Sequence, residues 1–380
     1  MITVLDACLV DGYATVSVTS INRSGTTATV VTGASHGLST GNWVLVAGAV
    51  ETDYNIEARI TKVDATTFTY EVANSPTTPA TGTITMRRAP AGFTKTYSGT
   101  NKAAYRSNDV TGNRFYLRVQ DDGPTTGGAQ EAVIRGYESM SDVDTGVNPF
   151  PTVSQMTYGY FAQKSSSANS TARPWYLITN GKMIYMFVNT DGTDLSAGDG
   201  TYQACWIFGD LIPYRATDAY CTVISGAYTT NSFTSPTCTW LDTATLTSAS
   251  SAFNSTTTCV ARDMTTINLS ISEQFVGTGS ATYLGSSDIV PFPNFADNGF
   301  YMSPVQMFGN GSSAYTRYFR ARVPGLYEPA HYRPFPNWTK FSNVQGFTGR
   351  TFVMIYGRNA SSNYCTAVFD LTGDDNFEWD

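Results

Sequence analysis

The sequence predicts an all-β protein, a β-sandwich or barrel body with a small β-domain near its N-terminus. Three observations carry that reading. No long stretch places apolar residues at i, i+3, i+4 and i+7 between helix caps. Short alternating runs rich in β-branched and aromatic residues recur instead, as at 115–119, 175–178, 183–188 and 351–356, and each ends in Gly, Asn, Asp or Pro. The 33 glycines and 16 prolines are spread along all 380 residues, as short strands joined by many turns require.

The first unit is residues 15–88. Its strands read 15–21, 26–31, 43–46, 56–63, 67–72 and 82–86, with turns at 22–25 and 64–66. Asp64 can accept a hydrogen bond from the backbone two residues on, which favours reversal there. Alternation in the fourth strand puts Ile56, Ala58, Ile60 and Lys62 on one face, apolar until its end. Such a set of strands closes as a small barrel or sandwich. Pro76, Pro79 and Pro90 stiffen the exit.

Residues 89–380 read as one larger β body or two. The Ser/Thr/Ala tract 229–258 is a surface excursion or an internal boundary. Segment 323–338 is dense in aromatics and holds Pro324, Pro329, Pro334 and Pro336. Four missing backbone donors predict a rigid extended arm and not a central strand. Tyr327, Tyr332, Phe335 and Trp338 on this arm are candidate docking residues, because aromatics concentrate binding energy at interface centres. Packing on their own domain is the alternative. In 315–322, alternation places Arg320 and Arg322 on one side and Phe319 and Ala321 on the other. That is a half-buried strand whose arginines pair with acids of this chain or a neighbour. No period of 20–50 residues repeats, which argues against solenoids and propellers.

Charged residues are only 14% of the chain, aromatics are 13%, and the formal net charge is −7. Charge-driven disorder does not fit that composition. No Lys/Arg cluster marks a nucleic-acid footprint. No run of about 18 apolar residues predicts a spanning helix, so membrane insertion is not expected. Residues 1–10 lack the basic end and apolar run of a secretory signal, which points to synthesis in a cytoplasm. The six cysteines (Cys8, Cys205, Cys221, Cys238, Cys259, Cys365) form no C-x-x-C pair. Buried thiols are expected over disulfides.

Reaction chemistry is thin. The two histidines, His36 and His331, read as a turn cap and a packing residue, and no G-x-S-x-G elbow accompanies either. Acidic pairs occur at Asp121-Asp122, Asp142 and Asp144, Asp191 and Asp194, and Asp374-Asp375. Each neighbours Gly or Asn, so turn roles are expected, although a glycosidase pair depends on a spatial separation that sequence does not give. Asn189, Asp191 and Asp194 resemble part of a calcium loop. That stretch lacks the distal Glu and flanking helices of an EF-hand, and a hairpin turn competes with it. No phosphate-cradling glycine loop occurs in a strand–helix setting. The reading is therefore a protein with no catalytic residues and no cofactor.

Residues Val18-Thr-Ser-Ile21, Arg23-Ser-Gly-Thr-Thr-Ala-Thr-Val30, His36-Gly-Leu-Ser-Thr-Gly41, Trp43-Val-Leu-Val-Ala-Gly48, Tyr54-Asn55 and Asp64-Ala-Thr-Thr-Phe-Thr-Tyr70 resemble a small β-module. This module recurs in bacteriophage tail and other surface proteins. Asn42 stands where that pattern commonly has Asp. The flanks resemble a second family, of uncharacterised tailed-phage structural proteins. The residues concerned are Leu5-Asp-Ala-Cys-Leu-Val-Asp-Gly-Tyr13, 93–106, Asn113-Arg-Phe-Tyr-Leu-Arg-Val119, 135–146 and Ala172-Arg-Pro-Trp175. In that pattern Gly-Tyr runs almost directly into the Gly-Phe-Thr-Lys stretch, so the module reads as an insertion between Ala14 and Ala91. The resemblance implies a structural component of a tailed-phage virion: tail, neck or collar, or head decoration. Its implied partners are copies of itself and other virion proteins. The alternatives are a receptor-binding protein that meets a host glycan or receptor, and a glycan-cleaving tailspike enzyme.

Overall fold

The computed structural model describes residues 1–122, 130–168, 170–196, 203–226, 258–272, 274–276, 292–309, 318–331, 334–358, 364–372 and 377–379. The chain is all-β, with antiparallel pairing throughout the paired strands described below. It divides into two compact units, Thr3–Phe93 with Phe377–Trp379, and Thr94–Asn376 with Met1–Ile2.

The smaller unit begins helically, which no periodicity announced. A turn of α-helix at Ile2–Leu5 runs into a π-helical turn at Asp6–Asp11, and Leu5, Cys8 and Leu9 are buried. The unit thus extends beyond residues 15 and 88 at both ends, and Ala91 N donates to Cys8 O. Gly12 ends the helical turn with φ +72°, and a Cβ there would lie 2.4 Å from Arg88 O.

Seven strands follow: β1 Tyr13–Ser24, β2 Thr27–Thr32, β3 Trp43–Ala49, β4 Glu57–Arg59, β5 Thr61–Lys62, β6 Thr67–Glu71 and β7 Gly82–Arg88. Their order is β4-β3-β7-β1-β2-β6-β5. Because β4 and β5 are one segment interrupted at Ile60, the two ends of the sheet meet and it closes as a barrel. The expected strand 56–63 is split for that reason. Its first part pairs with β3 and its second with β6, while Ile60 exchanges backbone bonds with Gly41 and Asn42. Long β1 bends through two register shifts and serves β7 and β2 in turn. Alternation fills the interior with Ile21, Val30, Val44, Val46, Phe68 and Tyr70. Thr66 N donates to Asp64 Oδ1 at 2.8 Å, the reversal expected there. Asn42 Oδ1 accepts from Ser39 N at 2.8 Å, as an Asp at that position would.

The larger unit stacks three sheets. The first contains β8 Phe93–Gly99, β9 Lys102–Ser107, β10 Tyr116–Gln120, β11 Glu131–Met140 and β12 Gly146–Phe150 in a meander, with β13 Tyr160–Gln163 also on β11. The second contains β14 Trp175–Thr179, β15 Met183–Asn189, β16 Gln203–Asp210, β18 Thr222–Ser225, β19 Thr258–Arg262 and β20 Leu269–Ser272, neighbours in that order. Between β16 and β18 runs β17, Ile212–Pro213. The third sheet has the order β21 Gln274–Val276, β22 Met302–Gly309, β23 Tyr318–Pro329, β26 Tyr364–Asp370, β25 Thr351–Arg358, β24 Lys340–Ser342, and β17 joins β23.

The second sheet is the middle layer. On one face Tyr185, Phe187, Cys205 and Ile207 share a core with Met307, Val323, Ile355 and Phe369 of the third sheet. On the other face Phe208 stacks on Phe150 of the first sheet, and Tyr160 O–H donates to Cys259 Sγ. Every residue of β15 is consequently buried. Residues 183–188 form a continuous apolar run because both faces are covered, where alternation was expected. The tract 229–258 lies, up to residue 257, outside the described residues.

Segment 323–338 departs from expectation. Its first part belongs to β23, a central strand. The prolines are tolerated because the ladder slips there: Arg322 faces Gln306 and Tyr327 faces Pro304, which leaves Pro324 in the irregularity beside Gly325 at φ +62°. A second slip corrects the expected alternation in 318–322. Phe308 faces Phe319 and Met307 faces Ala321, so Arg320 is a bulge residue. Arg320 and Ala321 are buried, and Phe319 and Arg322 are exposed.

Candidate functional site

The third sheet is apolar on both faces. Behind the core, Phe352, Met354, Tyr356 and Val368 carry a second layer that includes Phe300, Phe335, Phe341 and Phe347. Tyr327 points into this layer, edge-on to Phe347 and Phe352. Phe335 packs on Phe341 at 4.6 Å between centroids, and its carbonyl accepts from Tyr356 O–H. Trp338 meets Tyr176 and Phe187 at the rim of the main core. These three candidate docking residues thus pack on their own unit, and Tyr332 lies outside the described residues. His331 is buried in the same layer, its Nε2 accepting from Tyr301 N and its ring stacked on Phe300. In the barrel, His36 Nδ1 accepts from Leu38 N, and the ring meets Phe68 edge-on.

The calcium-loop candidates form a turn. Asn189 Oδ1 accepts from the backbone of Asp191 and Gly192, and its Nδ2 donates to Asp194 O at 2.9 Å. Asp191 accepts from Ser166 and Asp194 from Ser196. Among the described residues no group of three or more His, Cys, Asp or Glu is placed to hold a metal ion.

The acidic pairs are similarly occupied. Asp142 accepts from Asp144 N, while Asp144 binds Lys102 and Arg118, whose bonds hold its carboxyl below the usual range. Asp121 binds Lys164 at 2.8 Å. Asp374 and Asp375 lie outside the described residues.

Topology also gathers acids that the sequence keeps apart. Asp210 accepts from Asn113 N at 2.7 Å and from Thr222 Oγ1 at 2.6 Å, and Lys182 Nζ lies 3.3 Å from Asp109. Burial raises the Asp210 carboxyl, while bonds from Thr111 and the nearby Lys182 lower that of Asp109. Divergent carboxyls of this kind can serve as acid and base. Here Asp210 already holds Asn113, before β10, to Thr222 of β18, and Asp109 is taken up by Thr111 and Lys182. Glu131 on β11 is different. It is 0% exposed, neither carboxylate oxygen has a hydrogen-bond partner among the described residues, and burial pushes it up to about 7.

Several large apolar side chains stay exposed among the described residues, and some of them share a sheet face. On the outer face of the third sheet, Phe319 and Tyr214 are 54% and 58% exposed. Phe319 packs on Phe308 at 4.3 Å between centroids, the rings tilted by 36°. Tyr214 N donates to Arg320 O, and Tyr214 O–H donates to Gln306 Oε1 at 3.3 Å, so its ring crosses β23 towards β22. Ile212, opposite Arg322, borders the patch. The bulge at Arg320 turns Phe319 outward, and alternation read without that bulge could not show it.

No protein-family model matches the chain, and no curated protein sequence matches it. One solved structure to which the chain is similar is that of Phage phi92 endosialidase, with 11% identity and a TM-score of 0.16. The alignment covers 94% of this chain and 51% of that one, so this chain spans about half its length.

Proposed function

We propose that the chain is a structural component of a tailed-phage virion, in the tail, the neck or collar, or the head decoration. It would be made in the bacterial cytoplasm and assemble with copies of itself and other virion proteins, without turning over a substrate. The resemblance of residues 15–88 and of their flanks to phage virion proteins supports the setting.

The observation that carries a passive role is the use made of polar groups. Asp210 with Asn113 and Thr222, Glu138 with Arg262, Asp218 with Arg320, and Asp144 with Lys102 and Arg118 each close a joint between strands or between a strand and a loop. Buried and half-buried pairs of this kind fix register more than they add stability. A part that must keep its shape in a large assembly uses them well.

The test is to locate the chain in intact particles and to measure its assembly state after purification. Density for the chain at a repeated position, with oligomers in solution, is the expected result. Release of reducing sugar by the purified protein, abolished by a single Asp→Asn change, would overturn the reading. The exposed aromatic patch favours a second reading, contact with a host surface.

A further inference from the structure

We infer that the outer face of the third sheet, around Phe319, Tyr214 and Arg322, binds a carboxylated glycan. This inference stands apart from the virion reading and does not depend on it.

The face is built and not left over. Strand β23 is bulged at Arg320, whose side chain turns inward to a buried ion pair with Asp218. Bulges re-aim neighbouring side chains. Here the result is that Phe319 leaves the core and packs against Phe308, its ring tilted by 36°. The same ion pair anchors the segment after β17, and Tyr214 is held by its own backbone bond to Arg320. Two aromatic groups are therefore presented in fixed positions, which lowers the entropy lost on binding.

The polar groups among them define the ligand. Arg322 is exposed and enters no ion pair among the described residues. Gln306 accepts from Tyr214 through Oε1, which leaves its amide nitrogen to donate. A sugar ring has an apolar C–H face and a rim of hydroxyls. It suits ring faces flanked by hydrogen-bond donors, and a carboxylate suits the planar guanidinium fork. A second copy suits the face poorly. A two-fold contact with its axis at Arg322 would set that charge against its own symmetry mate.

Trigalacturonate and its methyl ester, titrated into the full-length protein by calorimetry, test this. The two probes differ only in the masked carboxylates. Saturable binding of the acid, with the ester at least about tenfold weaker, is expected. Arg322→Gln should remove that discrimination. Phe319→Ser and Tyr214→Ser should each weaken both probes about tenfold or more, with an unchanged melting temperature. Phe295→Ser, at a side chain 87% exposed outside this patch, should bind as the parent does. No saturable binding by the parent, or unaltered binding by the patch variants, overturns the proposal. Self-association of the parent that Phe319→Ser abolishes also overturns it, because a second copy is then the occupant. That last outcome would leave the virion reading standing.

Discussion

Arg320 Nε donates to Asp218 Oδ2 at 2.7 Å, and the two side chains are 0% and 1% exposed. A second bond of 3.1 Å joins Nη2 to Oδ1. Burying both charges is costly, and removing either side chain breaks the buried pair. Arg320→Met or Asp218→Asn alone should therefore destabilise by about 3–5 kcal/mol. Replacing both with apolar residues, Arg320→Met with Asp218→Leu, should recover most of that loss. Denaturant unfolding of the three variants is the check, and single variants within about 1 kcal/mol of the parent would contradict the argument.

Glu131 should make the protein less stable as pH rises. Its folded value, about 7, lies above the ordinary 4.5 because burial disfavours the carboxylate, and Lys164 offsets this only in part. A raised value means that the folded state holds the proton more tightly than the unfolded one. The contribution is whole below about pH 4.5 and is lost as pH passes 7. Glu131→Gln should flatten the profile and exceed the parent in stability at pH 8, by an amount on the order of 2 kcal/mol. Melting temperatures from pH 5 to about pH 8 decide it; a parent profile that rises with pH, unchanged by the substitution, would exclude this account.

Much of the barrel was legible because each strand has one wet face. The alternation at Thr27–Thr32 and the turn at Asp64 came directly from the residue pattern. What escaped had a tertiary cause. Closure split the strand at Ile60, burial on both faces erased alternation in Met183–Asn189, and ladder slips accommodated Pro324 and inverted the facing of Phe319 and Arg320. The joint between Asn113 and Asp210 is made by residues 97 positions apart, which no local pattern reports.

Cys8, Cys205, Cys221 and Cys259 are buried thiols, and burial pushes Cys8 up to about 12. The thiolate is the reactive form, so these four should resist alkylation in the native protein. Iodoacetamide labelling at pH 8, mapped by peptide mass, should find them unmodified until denaturant is added. Rapid native labelling of Cys8 would mean that the helical turn at Asp6–Asp11 opens readily.

Gly136 lies against the ring of Phe150, and a Cβ at 136 would fall 2.3 Å from its ring atoms. Phe150 is 0% exposed and also stacks on Phe208, so it has little room to swing. Gly136→Ala should cost about 1–3 kcal/mol by overpacking. Adding Phe150→Leu should return part of that cost, which a double-mutant cycle in denaturant would measure. Additive effects would show that the two positions do not compete for the same space.

The barrel should fold without the rest of the chain. Its sheet closes on itself, so it has no edge that needs a partner. Its core, from Ile21 and Val30 to Phe68 and Met86, is drawn from residues inside Thr3–Phe93. A fragment of that length is above the size at which small domains need disulfides or metals. The fragment Thr3–Phe93 should show one cooperative thermal transition and dispersed amide resonances. Ile60→Asp in the fragment should abolish both, because it places a charge in the core at the one segment that joins β3 to β6. A broad, non-cooperative melt of the parent fragment would show that the barrel borrows its stability from elsewhere.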